Sequence, residues 1–290
     1  MTKILKICLW ALAFIPLIMD RTIFAPANGN FFLRSLLIIV GILFLFYFFY
    51  EKKFREKMVE KIQKIIKTPL TLSILGFVFI SIISTIFAVN KYGAFWGTID
   101  RVEGLVGTIY FSSFFIFSLL IFEKKDWLWF LKLSLVASLI LLISEFFELF
   151  TGGGIGNFFT GNATFLAGYL LFSIFCAIVV FSESKDKFWK YFSIGTFILS
   201  ILGVFIASNR GTIVGLVLGF VGVLIYGILK GKDISYKKLN FKATSIVILC
   251  LLFVFLSIFA VTIKSEIWQK VPGLARIALI SSEDATTQTR

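Results

Sequence analysis

The chain of 290 residues contains no histidine. That absence removes Ser-His-Asp and Cys-His catalysis, histidine metal sites and histidine proton relays from within it. Charge is scarce as well: 16% of residues are charged, against about 25% in soluble globular proteins. Cysteine is nearly missing. Cys8, Cys176 and Cys250 lie inside apolar runs with no CxxC or Cys/His spacing. They read as small buried hydrophobes, not as metal ligands or a disulfide framework.

What fills the chain instead is apolar. Hydrophobic residues make up 59%, phenylalanine alone contributes 37, and the mean hydropathy is +0.97. A soluble domain has nowhere to hide that much apolar surface. The composition predicts an all-α, polytopic transmembrane helical bundle, and soluble enzymes and nucleic-acid-binding modules drop out. A membrane helix needs about 20 mostly apolar residues. Nine stretches qualify, near 4–19, 31–50, 69–89, 106–122, 128–150, 163–182, 191–207, 211–229 and 244–263. Together they form a transmembrane domain over 1–263, followed at 264–290 by the start of an extracytoplasmic loop. The first stretch has Lys3 and Lys6 ahead of an apolar core, like a signal peptide, but shows no convincing cleavage site and reads as an anchor.

The net charge of +13 raises nucleic acid as a partner, but its placement points to topology. With the N-terminus inside, the segments 1–3, 51–68, 123–127, 183–190 and 230–243 and the adjoining helix ends hold 20 of the 29 basic residues. That bias predicts an N-in, C-out chain in the inner (plasma) membrane, with anionic lipid headgroups as partners and no nucleic acid. The segment 51–68 reads as an amphipathic helix on the inner surface. Lysine and arginine also separate. Of 22 lysines only Lys91, Lys264 and Lys270 fall outside, whereas six of seven arginines do: Arg21, Arg34, Arg101, Arg210, Arg276 and Arg290. Arginine presents a planar fork that matches phosphate oxygens; lysine is a point charge. The sorting fits an outward-facing phosphate or pyrophosphate site, and equally arginines anchoring helix ends at headgroups.

The outer loops supply the candidates. In 20–30, Asp20 fits a metal ligand or base, or a salt bridge to Arg21, and Pro26, Asn28, Gly29 and Asn30 read as a turn. Loop 90–105 carries Tyr92, Phe95 and Trp96 ahead of Asp100, Arg101 and Glu103, a set suited to a sugar over a lipid phosphate or to an interfacial belt. Glu145 and Glu148 share a helix face near the outer boundary, shallow enough to snorkel. The glycines of 151–162 suit a mobile or re-entrant loop, with Asn162 and Thr164 placed to cap the next helix. At 207–212, Gly211 permits a tight turn and fixes Arg210 at the mouth of a helix hairpin, where with Asn209 it points at a pyrophosphate near a helix start or anchors headgroups. The tail 264–290 carries Ser282 and Asp284 as candidate caps and stops at Arg290, which reads as a truncation.

Four of these stretches resemble the O-antigen ligase and polymerase family, polytopic GT-C-type glycosyltransferases: PLIMDRTIFAPANGNFFLR (16–34), FWGTIDRVEGLVG (95–107), GNATFLAGYLL (161–171) and SNRGTIVGLVLG (208–219). EDATTQTR (283–290) resembles the entrance to that family's large outer loop. The resemblance implies transfer of a glycan from undecaprenyl pyrophosphate to a sugar hydroxyl on the outer face, with inversion and without a metal ion or other cofactor. The partners it implies are a lipid-linked glycan donor and a glycan or glycolipid acceptor. Arg210 and Arg290 match arginines that stabilise the leaving pyrophosphate, and Arg101 a recurrent loop arginine, carried as a substrate-binding candidate. Arg34, Trp96, Glu103 and Asn162 fall in the matched stretches and are carried as substrate-binding candidates. Three departures stand: Asn30 where a lysine is expected, Asn209 inserted between Ser208 and Arg210, and no histidine to activate the acceptor. The missing histidine implies a piece of such an enzyme, inactive by itself, with its base beyond residue 290. The competing reading is a flippase or transporter for a lipid-linked saccharide, which would need polar residues deep in several spans.

Overall fold

The structure, a computed structural model, describes residues 2–18, 25–98, 103–152, 162–230 and 241–263, with Ser265 and Trp268. Among the described residues every regular element is helical. In order these are α1 (Thr2–Ala11), continued by a 3₁₀ segment Leu12–Leu17, α2 (Ala25–Tyr50), α3 (Lys52–Ile65), α4 (Pro69–Ile86), α5 (Lys91–Trp96), α6 (Leu105–Ile121), α7 (Lys124–Phe150), α8 (Ala163–Glu183), α9 (Lys187–Ile206), α10 (Arg210–Lys230) and α11 (Phe241–Val261). Seven of them, α2, α4 and α7–α11, are long and apolar enough to cross a membrane. The chain is a multi-pass helical membrane protein. It divides into two compact units, Met1–Asn162 with Ser173–Leu199, and Ala163–Phe172 with Ser200–Arg290.

In the first unit the core is built on one stripe of α2. Leu33, Leu37, Val40, Phe44 and Tyr47 recur every three or four residues and are buried, while Ile38, Ile39, Ile42, Leu45, Phe46 and Phe49 between them are exposed. An apolar run that continues all round the helix thus spends one face on protein and leaves the rest for lipid. Leu5, Leu9 and Leu12 pack onto that stripe with Leu120, Ile121 and Phe122 of α6 and its end.

Three expectations change here. The stretch 4–19 is not a single α-helix: α1 covers ten residues and Leu12–Leu17 tightens into a 3₁₀ helix containing Pro16, whose ring cannot sit in an α-helix interior. The turn expected at Pro26, Asn28, Gly29 and Asn30 is instead the opening of α2, where a missing proline N–H costs nothing. And α3 does not lay its apolar face on lipid. Phe54 and Met58 insert into the core, the Phe54 ring meeting Phe44 at 5.5 Å and Tyr47 at 5.9 Å. Lys61 Nζ donates to the Leu120 carbonyl at 2.8 Å, satisfying a carbonyl in the last turn of α6. Helix α3 is a lid over one end of this unit.

That end gathers the segments assigned to one side of the membrane. Lys6 pairs with Asp126 at 2.6 Å, Lys57 approaches Glu123 at 3.7 Å, and Lys124 pairs with Glu183 at 2.8 Å. Just inside α7, the Lys132 ammonium lies between two indoles, 4.9 Å from the Trp129 ring and 4.8 Å from that of Trp189. Cation–π attraction and a retained stem length let a lysine rest there, partly stripped of water.

Candidate functional site

At the opposite end of the first unit, α4 runs into the short helix α5, capped by the Asn90 side chain, which accepts from the Gly93 N–H at 2.9 Å. The segment between α5 and α6 is pinched at its base by two glycines. Gly97 has φ 86° and ψ −175°, a combination open in practice only to glycine. A Cβ on Gly104 would stand 2.4 Å from both the Phe95 carbonyl oxygen and the Gly97 nitrogen. Those glycines therefore bring the end of α5 and the start of α6 together, and with them Trp96 and Glu103. Both candidates are exposed, and the Phe95 and Trp96 rings meet edge-on at 5.0 Å. Arg101 lies outside the described residues.

Helix α6 begins directly after this loop, and its Tyr110 meets Arg34. The Arg34 guanidinium stands 5.6 Å from the Tyr110 ring centroid and 6.0 Å from that of Phe31. The sequence places Arg34 at an outer helix end. Because α2 starts at Ala25, the structure places it well inside the helix, about 14 Å from its start, and only 8% exposed. Asn30, one turn earlier, is buried as well. Glu145 departs in the same way: it is 3% exposed, so it does not snorkel, while Glu148 is half-buried. Tyr110 and the burial of Asn30 and Glu145 were not legible in the sequence. Their signal was a polar residue within an apolar helix, which by default marks function or a partner inside the protein.

In the second unit, Asn209 caps α10. Its Oδ1 accepts from the Thr212 N–H at 2.9 Å and the Thr212 hydroxyl at 3.1 Å, and its Nδ2 donates to Thr164 Oγ1 at 3.0 Å, joining the starts of α8 and α10. Asn209 is therefore a structural cap and not a side chain aimed at a ligand. Gly211 lies within the helix; the left-handed position that turns the chain is Ser208, at φ 52°. Arg210 is the first residue of α10 and half-buried, its charge added to the positive end of the helix dipole. Asn162, in the first unit, immediately precedes α8 and is exposed. Arg290 and the 153–161 glycines lie outside the described residues, and among those described no three acidic or cysteine groups gather to hold a metal ion.

Of the candidates, the fold brings Trp96 and Glu103 to one pinched loop and Arg34 to the helix that follows it. No protein-family model, curated protein or solved structure matches the chain.

Proposed function

We propose that the chain belongs to an O-antigen ligase-like glycosyltransferase of the inner membrane, moving a glycan from undecaprenyl pyrophosphate to a sugar hydroxyl on the outer face. The observation that carries the reading is positional. Arg34 lies in the N-terminal half of α2, Glu103 just before α6, Asn162 just before α8, and Arg210 opens α10. In an N-in chain of nine crossings these are the helices that enter from outside. The count of nine takes α1 with its 3₁₀ extension, about 27 Å of rise, and α6, about 25 Å, as crossings beside the seven longer helices. Their N-terminal ends carry partial positive charge, and arginine adds a fork that fits phosphate oxygens.

When the sugar C1–O bond breaks, negative charge builds on the leaving pyrophosphate. Arg210 and Arg290 are assigned to stabilise that charge, and Arg101 and Arg34 to bind substrate. Trp96, Glu103 and Asn162 offer a ring face, a carboxylate and an amide for the sugars. The test is transfer of a radiolabelled glycan by the full gene product in proteoliposomes. Arg210→Lys is expected to lower transfer at least tenfold with the folded fraction unchanged. Equal transfer by the two proteins removes Arg210 as the leading site.

A flippase or transporter for a lipid-linked saccharide is the second reading, and one observation favours it: Arg34, Lys132 and Glu145 are buried within membrane-length helices. Movement of a fluorescent lipid-linked saccharide across the bilayer without any transfer product would replace the first reading with this one.

A further inference from the structure

The basic end of the first unit holds a cavity of about 320 Å³ lined by Lys3, Lys6, Ile7, Trp10, Lys125, Asp126 and Trp129. We propose that it binds the phosphate headgroup of an anionic phospholipid from the leaflet at that end. The charge balance favours an anion. Three ammonium groups line the cavity against one carboxylate, and that carboxylate is already committed: Asp126 Oδ2 takes Lys6 at 2.6 Å and the Glu123 N–H at 2.9 Å. Lys3 is exposed, and Lys125 has only a long contact to the exposed Glu123 carboxylate, 3.8 Å. Two cations are therefore left to meet a ligand.

The walls fit the rest of a lipid. The Trp10 indole N–H is spent on the Asp126 carbonyl at 3.1 Å, so Trp10 brings an apolar ring to the cavity, not a donor. Trp129 and Ile7 add further apolar wall. Amphipathic aromatics beside lysines are the chemistry of the headgroup level, where glycerol and the first acyl carbons accompany the phosphate. A soluble phosphate uses the lysines alone and gains nothing from the rings. The membrane-bound source is the one the cavity matches.

The experiment reconstitutes the chain in nanodiscs of phosphatidylcholine with increasing phosphatidylglycerol and follows thermal unfolding. Phosphatidylglycerol should raise the unfolding temperature with a saturable dependence. Lys3→Gln/Lys125→Gln should shift the half-saturating fraction upward at least tenfold, since both lysines that meet the phosphate are lost. Lys53→Gln/Arg55→Gln, which removes the same charge from the exposed face of α3, should leave it unchanged. Glycerol phosphate added to phosphatidylcholine discs should not stabilise. An equal shift in both double variants would reduce the effect to general surface charge and overturn the proposal. So would an unchanged response in Lys3→Gln/Lys125→Gln, or stabilisation by glycerol phosphate matching that by the lipid.

Discussion

Lys6 Nζ and Asp126 Oδ2 lie 2.6 Å apart, with the lysine side chain 15% and the aspartate 4% exposed. The same oxygen accepts from the Glu123 N–H at the start of α7, so one buried carboxylate pairs with a half-buried cation and satisfies an open helix end. Removing one member of such a pair leaves the other charged and unsolvated. Asp126→Ala is expected to destabilise the protein by about 3 kcal/mol. Asp126→Ala/Lys6→Met should recover a good part of that. Unfolding in detergent measures both, and a double variant no more stable than the single one would count against the pair.

Gly104→Ala should force the start of α6 away from the end of α5. Its Cβ meets backbone atoms at 2.4 Å, which cannot rotate away as a side chain would. The unfolding temperature should fall, while Gly76→Ala, where a Cβ meets nothing within 4 Å, should leave it unchanged.

Asn209→Ala should cost about 1 kcal/mol through loss of the α10 cap, with a further small loss from the bond to Thr164. Asn209→Asp keeps the cap but not the amide donor. It is expected to fall between wild type and alanine in thermal stability.

Ser138 and Ser173 hydroxyls meet at 2.5 Å between α7 and α8, both buried. Hydrogen bonds between membrane helices average about 0.6 kcal/mol in coupling. A double-mutant cycle with alanine at both positions should return a value of that order, and zero coupling would show that packing alone holds the two helices there.

Burial holds the Lys61 ammonium below its ordinary pKa of 10.5, helped by Lys57 and Lys6 and opposed by Glu123 and Asp126. Between the lowered value and 10.5 the unfolded chain therefore binds more protons than the folded one. Stability contributed by this site rises with pH across that window, as the burial cost of the charge is removed. The difference in unfolding temperature between wild type and Lys61→Met should drift in favour of wild type as pH climbs through it. A difference that stays flat would mean that the ammonium is solvated.

Seven of the nine expected crossings could be read, because length and hydropathy are summed properties that tolerate local error; α1 with its 3₁₀ extension and α6 fall short of that length. The pairing of Lys124 with Glu183 and of Lys6 with Asp126 gathers those segments at one end of the unit, since charge that cannot cross a bilayer must collect at its ends. Depth was harder. Nothing in a uniformly apolar run tells which face of α2 meets protein, so an arginine within it stood out while its neighbours, the Phe31 and Tyr110 rings, could not be named. Amphipathicity likewise specifies that Phe54 and Met58 of α3 will be covered, not whether by lipid or by α2 and α6. Asn209 misled for a related reason: a polar residue at a helix start serves equally as cap or as ligand contact, and only the Thr212 N–H settles it.

The lid formed by α3 also fixes an order of events during synthesis. Lys61 meets a carbonyl 59 residues later in the chain, and Lys6 a carboxylate at position 126. When α1, α2 and α3 emerge, neither partner exists. The early helices must wait at the membrane with α3 packed only on α2 until α6 and the start of α7 arrive. Membrane helices insert singly and assemble afterwards, and here that delay is written into the contacts themselves. During it, the part of the α3 apolar face that α6 will cover has only the lipid surface to rest on.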